Sequence, residues 1–391
     1  MRQAAVTERP CLVTGHLLPW TGGPLKSIAA FQRALDANVV SFLERRHLSD
    51  HALPLPEGRL ALVPCHRLPF FRHFLWPQRG ALAEGRRLLK EAPIVSCHSF
   101  YNYHPAWVQH CCGMSSTPYW IVPHGILDPY VVGRNRIAKS LYLSTVGRKC
   151  LARAAATIFS SRPERDKAVK HFRVVNPVVV HWPVSIPATR DRLASRVAVR
   201  QRLGLEDDSR IMLFLGRLHP MKRPLETIRL FAAGATAGWH LLLVGHPEGV
   251  SEAECHAMAR TCGVEGRVHV IPGVMPEDVS DMIEGCDLFI SNSRRENFNN
   301  AAAECLASGL PLLLSSGNDL VADIGRSAAV GVLPESPAEA TAVIKEWTSF
   351  SGVELIDRGR IGAAWAQENL SFDVFCARLK QVLVETLTGH R

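Results

Sequence analysis

Short apolar runs recur along this chain. Each is followed by a polar or glycine-bearing loop and then by an amphipathic stretch of helical length. Strand, loop and helix in repetition make a parallel sheet covered on both faces, which excludes all-helical and all-β architectures. In the first half the runs are residues 11–14, 39–42, 60–63, 93–97, 119–125, 157–160 and 178–181, with helices expected over 24–36, 80–91, 134–155 and 163–172. In the second half they are 211–216, 240–245, 268–271, 288–291, 310–314 and 329–333, followed by amphipathic helices over 337–347 and 372–388. Between the halves, residues 183–195 carry two prolines, Pro183 and Pro187. The expected organisation is therefore an α/β chain with one domain over 1–182 and a linker over 183–195. A second domain covers 196–370, and a C-terminal helix over 371–391 packs back on the first.

The 391 residues suffice for two large cores. No run of 18 or more uncharged apolar residues exists, and Met1 to Pro10 is polar. Neither a membrane-spanning helix nor a signal peptide is expected, and the expected location is the cytoplasm. The eleven cysteines contain no C-x-x-C pair and read as reduced core residues. His98, His104 and His110 lie near one another without the spacing of a metal site, so no metal is expected. Of the net formal charge of +9, residues 1–190 carry about +15 and residues 191–391 about −6. A basic first half suits an anionic substrate or an anionic membrane surface. No nucleic-acid-binding motif accompanies it. The most aromatic segment, 68–76, is flanked by Arg67 and Arg79; it reads as a membrane-interface or acceptor loop, or else as a core helix.

The chemistry concentrates at residues 291–311. A buried strand ends at Ser291, a polar loop follows, and a helix from Asn300 to Ser308 starts on an asparagine cap and ends at Gly309 and Pro311. Such a helix start binds anions through its first N–H groups and its dipole. Glu296 lies in the loop and Glu304 about one turn into the helix, so they are not an adjacent dyad. Arg217 and Lys222 follow the first strand of the same domain and can grip a diphosphate. His124, beside Gly125, sits at the carboxyl end of a strand of the first half, where open parallel sheets bind ligands. Gly22 and Gly23 lie between the first strand and its helix and leave room for a ligand, but they do not form G-x-G-x-x-G. A phosphate grip with carboxylates beside it, and no metal pattern, points to a nucleotide sugar.

These segments together resemble the retaining glycosyltransferases of GT-B fold, and family 4 of them in particular. Glu296 and Glu304 match that family's pair of glutamates separated by seven residues. Gly22-Gly23, Pro123 to Pro129, Phe214 to Lys222 and Ala307 to Pro311 match further blocks in the right order. The resemblance implies two Rossmann-like parallel-sheet domains facing across a cleft, the first on the acceptor side and the second binding the donor. It implies transfer of a hexose-type sugar, without cofactor or metal, from a nucleotide-diphosphate sugar to a glycan or lipid-linked acceptor in surface polysaccharide synthesis. In that reading Arg217 and Lys222 hold the diphosphate with the N–H groups of Phe298, Asn299 and Asn300. Glu296 binds sugar hydroxyls, Glu304 the ribose, and His124 touches the sugar. Gly22 and Gly23 let the backbone approach the phosphates. Asn299 replaces the family's usual glycine, Arg223 the glycine after the loop lysine, and Trp182-Pro183-Val184 the usual Pro-Asn-Gly. A nucleotide-sugar epimerase and a non-catalytic nucleotide-sugar binder remain the alternatives; a glycoside hydrolase would need its two carboxylates facing across one bond.

Overall fold

A computed structural model describes residues 9–15, 17–18, 23–50, 53, 55–68, 71–133, 136–186, 192–273 and 276–389. Contacts divide the chain into two compact units. One comprises Met1–Pro183 with Phe372–Arg391, the other Val184–Ser371.

The first unit holds β1 (Cys11–Thr14), β2 (Asn38–Glu44), β3 (Leu60–Leu68), β4 (Phe71–Pro77), β5 (Val95–His98), β6 (Tyr119–Val122), β7 (Ala156–Phe159) and β8 (Pro177–Val179). They form one sheet in the order β4-β3-β2-β1-β5-β6-β7-β8. Every position of β1, β5, β6 and β7 is buried. A strand covered on both faces has no solvent side, which is why these runs are apolar throughout instead of alternating. The strand order reverses between β1 and β5, the kind of position at which doubly wound sheets bind ligands beyond the strands' carboxyl ends.

Of the aromatic segment 68–76, the described residues, Leu68 and 71–76, are strand, neither loop nor helix. β3 continues to Leu68, and β4 returns antiparallel along it, pairing His66 with Trp76 and Arg67 with Leu75. Leu75 is buried while its neighbour Trp76 is exposed, the period-two alternation of an edge strand with one covered face. Pro69 and Phe70 lie outside the described residues. The helix Tyr103–Ser115 was not expected. Asn102 caps it, and Trp107, Val108 and Cys112 bury one side, but a proline in its first turn and weak periodicity hide it. The single helix expected over 134–155 is instead Arg136–Tyr142, a π-helical turn Leu143–Gly147, and Arg148–Arg153. The helix Phe372–Gly389 belongs to this unit. Phe375 packs edge-on against Phe31 at 5.2 Å, and the Trp120 indole donates to Thr386 Oγ1 at 2.9 Å.

The second unit holds β9 (Arg210–Leu215), β10 (Trp239–Val244), β11 (Val268–Ile271), β12 (Leu288–Ser291), β13 (Leu312–Ser315) and β14 (Val330–Leu333). All are parallel, in the order β11-β10-β9-β12-β13-β14. This is the doubly wound order 3-2-1-4-5-6, with its switch point between β9 and β12. Helix Arg192–Leu203 begins inside the stretch expected as linker, and residues 187–191 lie outside the described ones. Its Arg200 is fully buried and donates to the carbonyls of Ser209 and Gly285 and to the Asp287 carboxylate. Asp287 also accepts the Ile211 N–H, so one buried charge pair ties the amino ends of β9 and β12 together. Helix Gly352–Leu370 was also missed, although Ser351 and Glu354 form its capping box. All eleven cysteines are free thiols, eight of them buried.

Candidate functional site

The loops leaving β9 and β12 meet at the switch point of the second unit. The Arg294 N–H donates to the Met221 carbonyl at 2.9 Å, joining them directly. Lys222 is held by its own N–H to the His219 carbonyl, while His219 Nδ1 accepts from the Met221 N–H. Its side chain folds back over Gly216, and Nζ reaches Glu296 Oε1 at 2.6 Å. Both side chains are mostly shielded, 20% and 15% exposed, so water screens this pair less than a surface pair. The Glu296 backbone is pinned on both sides: its N–H donates to the Gly317 carbonyl, and its carbonyl accepts from the Asp319 N–H.

Beneath the loop lies a buried polar network. Asn299 Nδ2 donates to Ser291 Oγ at 3.1 Å and to Asn318 Oδ1 at 2.5 Å; Asn318 Nδ2 donates to Ser315 Oγ at 2.9 Å. Ser315 Oγ in turn donates to the Ser293 carbonyl at 2.5 Å. Asn299 has φ +48°, in the left-handed region that asparagine tolerates better than most residues. It is the cap of the helix Asn300–Ala307, and its Oδ1 accepts from the Ala302 N–H; the cap is thus one residue earlier than the sequence suggested. Gly317 has no substitute, because a Cβ there would lie 2.2 Å from the Arg294 carbonyl oxygen. At Gly245 a Cβ would meet the Gly216 carbonyl at 1.8 Å, so the loops after β9 and β10 also close on a glycine.

The two cations expected to act together have different partners. Arg217 is exposed, and its Nη1 alone donates to both carboxylate oxygens of Glu248, at 2.7 Å to Oε1 and 2.5 Å to Oε2. Lys222 lies against Glu296. Phe298 is buried, while Asn300 and Glu304 are half-buried in the first turns of the helix. Ser315, Gly317, Asn318 and Arg295 were not singled out from the sequence. Burial holds Arg295 below the usual guanidinium range, with Asp319 opposing the shift. The polar run Ser315 to Asp319, directly after a buried strand adjacent to β12, is the signal that could have found the first three.

In the first unit, Gly23 opens the helix Gly23–Leu35, and Gly22 lies outside the described residues. His124 follows β6 with φ +52°. The turn is fixed by the buried Glu164, which accepts the Gly125 N–H at 2.7 Å and both the N–H and hydroxyl of Ser160. The His124 ring stacks on His98 at 5.2 Å between centroids and tilts against Trp182 at 5.5 Å. His98, the last residue of β5, thus joins His124 at the carboxyl end of the sheet, a pairing not foreseen.

Each sheet, then, is of the doubly wound, Rossmann-like type. Residues 195–351 match the family described as glycosyl transferases, group 1. D-inositol 3-phosphate glycosyltransferase from Streptomyces scabiei (strain 87.22) is 27% identical over 341 residues, covering 77% of this chain and 75% of that protein. The protein of the same name from Rhodococcus jostii (strain RHA1) is 26% identical over 239 residues, 58% of this chain and 51% of that one. The chain spans about half the length of such curated relatives, 51%, 43% and 58% for three of them. Among solved structures, Anabaena Alr3699/HepE in complex with UDP and glucose superposes with a TM-score of 0.71 at 18% identity, covering 96% of this chain and 100% of that one. Sucrose-phosphate synthase from Thermosynechococcus elongatus gives 0.74 at 16% identity, over 97% and 100%. The fold is that of the GT-B glycosyltransferases.

Proposed function

We propose that the protein is a retaining glycosyltransferase that moves a hexose-type sugar from a nucleotide-diphosphate sugar to a glycan or lipid-linked acceptor. The observation that carries this reading is the shielded Lys222–Glu296 pair at the switch point, beside the start of helix Asn300–Ala307. Without ligand the two side chains neutralise each other. When a donor binds, Lys222 and the helix start take the diphosphate, where negative charge grows as the sugar leaves. Glu296 turns to the sugar hydroxyls and Glu304 to the ribose. Arg217, on an exposed loop, exchanges Glu248 for phosphate at little cost because a surface pair is weak. His124 contacts the transferred sugar. The acceptor hydroxyl attacks on the face the leaving group vacates, and a leaving phosphate oxygen takes its proton. No step requires a metal, so transfer should continue in EDTA.

Glucose-bearing and other UDP-, GDP- and ADP-sugars, screened with wild type and Glu296→Gln, test the assignment. Turnover by wild type and near-complete loss in the variant is expected; near-normal turnover in the variant would falsify the role of Glu296. Product formed from one nucleotide sugar without acceptor would instead favour an epimerase.

The acceptor is proposed to be anionic or membrane-held. Supporting this, the charge excess lies in residues 1–190, and the stretch Arg136–Arg153 exposes Ile137 and Leu141 and, beyond the π-helical turn, Arg148 and Lys149. Among the described residues no helix is long and apolar enough to cross a membrane. Flotation with liposomes containing anionic lipid at low salt is the test, and absence of binding removes this part.

A further inference from the structure

Three hydrogen-bonding contacts run through the histidine pair of the first unit. Ser96 Oγ is 3.1 Å from His98 Nε2, His98 Nδ1 is 3.0 Å from His124 Nε2, and His124 Nδ1 is 3.5 Å from Ser27 Oγ. Ser27 Oγ donates its one hydrogen to the Pro24 carbonyl at 2.9 Å, so toward His124 its oxygen can only accept. His124 Nδ1 therefore carries a hydrogen. In neutral His124 the other nitrogen, Nε2, then accepts, and His98 must supply the hydrogen from Nδ1. His98 Nε2 is left to accept from the Ser96 hydroxyl. We propose that His98 is a positioning residue that fixes His124 as the Nδ1–H tautomer, so that His124 presents a donor, not an acceptor, to an oxygen of the bound sugar. This rests on the reading of His124 as a substrate-contacting residue.

His98 is built to hold that tautomer. It is fully buried, Phe31 packs edge-on against it at 4.8 Å, and its carbonyl accepts from His104 Nε2 at 2.8 Å. Burial, then the neighbouring His124 and His104, push its own pKa well below the usual histidine range, so it stays neutral. A neutral imidazole has one donor and one acceptor, which is what a chain with a fixed direction needs. The outermost link, to Ser27, is also the longest. It is the link that a sugar hydroxyl can replace while the other two keep the ring in place.

The experiment compares His98→Asn, whose side-chain amide can still donate to His124 Nε2, with His98→Asp, whose carboxylate can only accept. His98→Leu, which can do neither, is the third variant. Nitrogen-15 NMR of histidine-labelled full-length protein, with the His124 signals assigned by their loss in His124→Gln, reads the tautomer directly. Wild type and His98→Asn should show hydrogen on Nδ1 alone, and His98→Asp should show hydrogen on both nitrogens, because its carboxylate accepts from Nε2 while Ser27 still accepts from Nδ1. With a nucleotide sugar that wild type turns over, His98→Asn should keep kcat within about threefold, while His98→Leu loses about tenfold in kcat with little change in KM, the cost of one misdirected hydrogen bond. An Nε2–H tautomer in wild type, or equal kcat loss in His98→Asn and His98→Leu with unchanged melting temperatures, overturns the proposal. Should wild type turn over no nucleotide sugar, the transferase reading falls, and the wild-type tautomer still decides what His98 does.

Discussion

The switch points of the two sheets sit at equivalent places in the strand order but hold opposite chemistry. Between β9 and β12 a cation and a carboxylate face each other, Lys222 and Glu296 at 2.6 Å. At β5, next to the β1 switch point, and at the adjacent β6, hydroxyls and imidazoles are linked by hydrogen bonds: Ser96, His98, His124 and Ser27. A doubly wound sheet supplies a crevice in both cases, and the side chains decide what enters it. In the proposed reading the charged pair takes the diphosphate part of a nucleotide sugar, and the hydrogen-bonded histidines take a part that carries only hydroxyls.

The contrast can be broken most severely at the charged end. Lys222→Met should lower kcat/KM with the nucleotide sugar about 10²–10³-fold, the scale for removing one electrostatic contact to a developing charge. Steady-state kinetics check it, and a loss below about threefold would mean that the pair is only structural. The next largest effect concerns the network that holds the loop. Asn299→Ala removes the helix cap and two buried side-chain bonds and leaves a Cβ-bearing residue at φ +48°, so stability should fall by about 2 kcal/mol in urea unfolding. Asn299→Gly, free of the φ penalty, should lose less.

The neutral end is sharpened by pH. His98 has its folded pKa below its unfolded value of about 6.5. Above that value both states are neutral and the histidine contributes no pH dependence. As pH falls below it, the unfolded chain takes a proton that the folded one refuses, and stability is lost, by about 1 kcal/mol between pH 6.5 and pH 5.5. In the second unit His240 and His269, 3.2 Å apart, are lowered in the same direction, mainly by burial. Denaturation curves of wild type and His98→Asn across this range separate the two units, since only the His98 contribution disappears in the variant. The smallest effect is expected at Arg217→Ala. Its pair with Glu248 is exposed, so stability should move by no more than about 0.5 kcal/mol. A large loss of kcat/KM in the same variant would show that Arg217 leaves Glu248 for the donor.

The second sheet was legible strand by strand, because buried parallel strands are continuous apolar runs bounded by glycine and polar loops. The placement of Arg217, Lys222, Glu296 and His124 beyond the carboxyl ends of strands was legible for a similar reason: each follows such a run. What escaped depends on contacts distant in sequence. His98 is an ordinary strand residue until β5 and β6 bring it onto His124. Asn318 and Gly317 matter only because β13 lies beside β12, placing the Gly317 backbone against Arg294. Residues 68–76 were misread because an antiparallel edge strand pairs locally, and its aromatic content resembles an interface loop when Leu75 and Trp76 cannot be assigned to different faces.

The helix Phe372–Gly389 packs with the first unit although the whole of the second unit, Val184–Ser371, separates it from residues 1–183. On a ribosome the second unit is therefore a contiguous stretch that can complete itself as it emerges, whereas the first must wait. Until residues 372–389 arrive, Phe31 and Trp120 lack the Phe375 ring and the Thr386 hydroxyl that cover them. The half of the chain that is made first is thus the half that finishes folding last, and during that interval its apolar surface is open to chaperones or to aggregation.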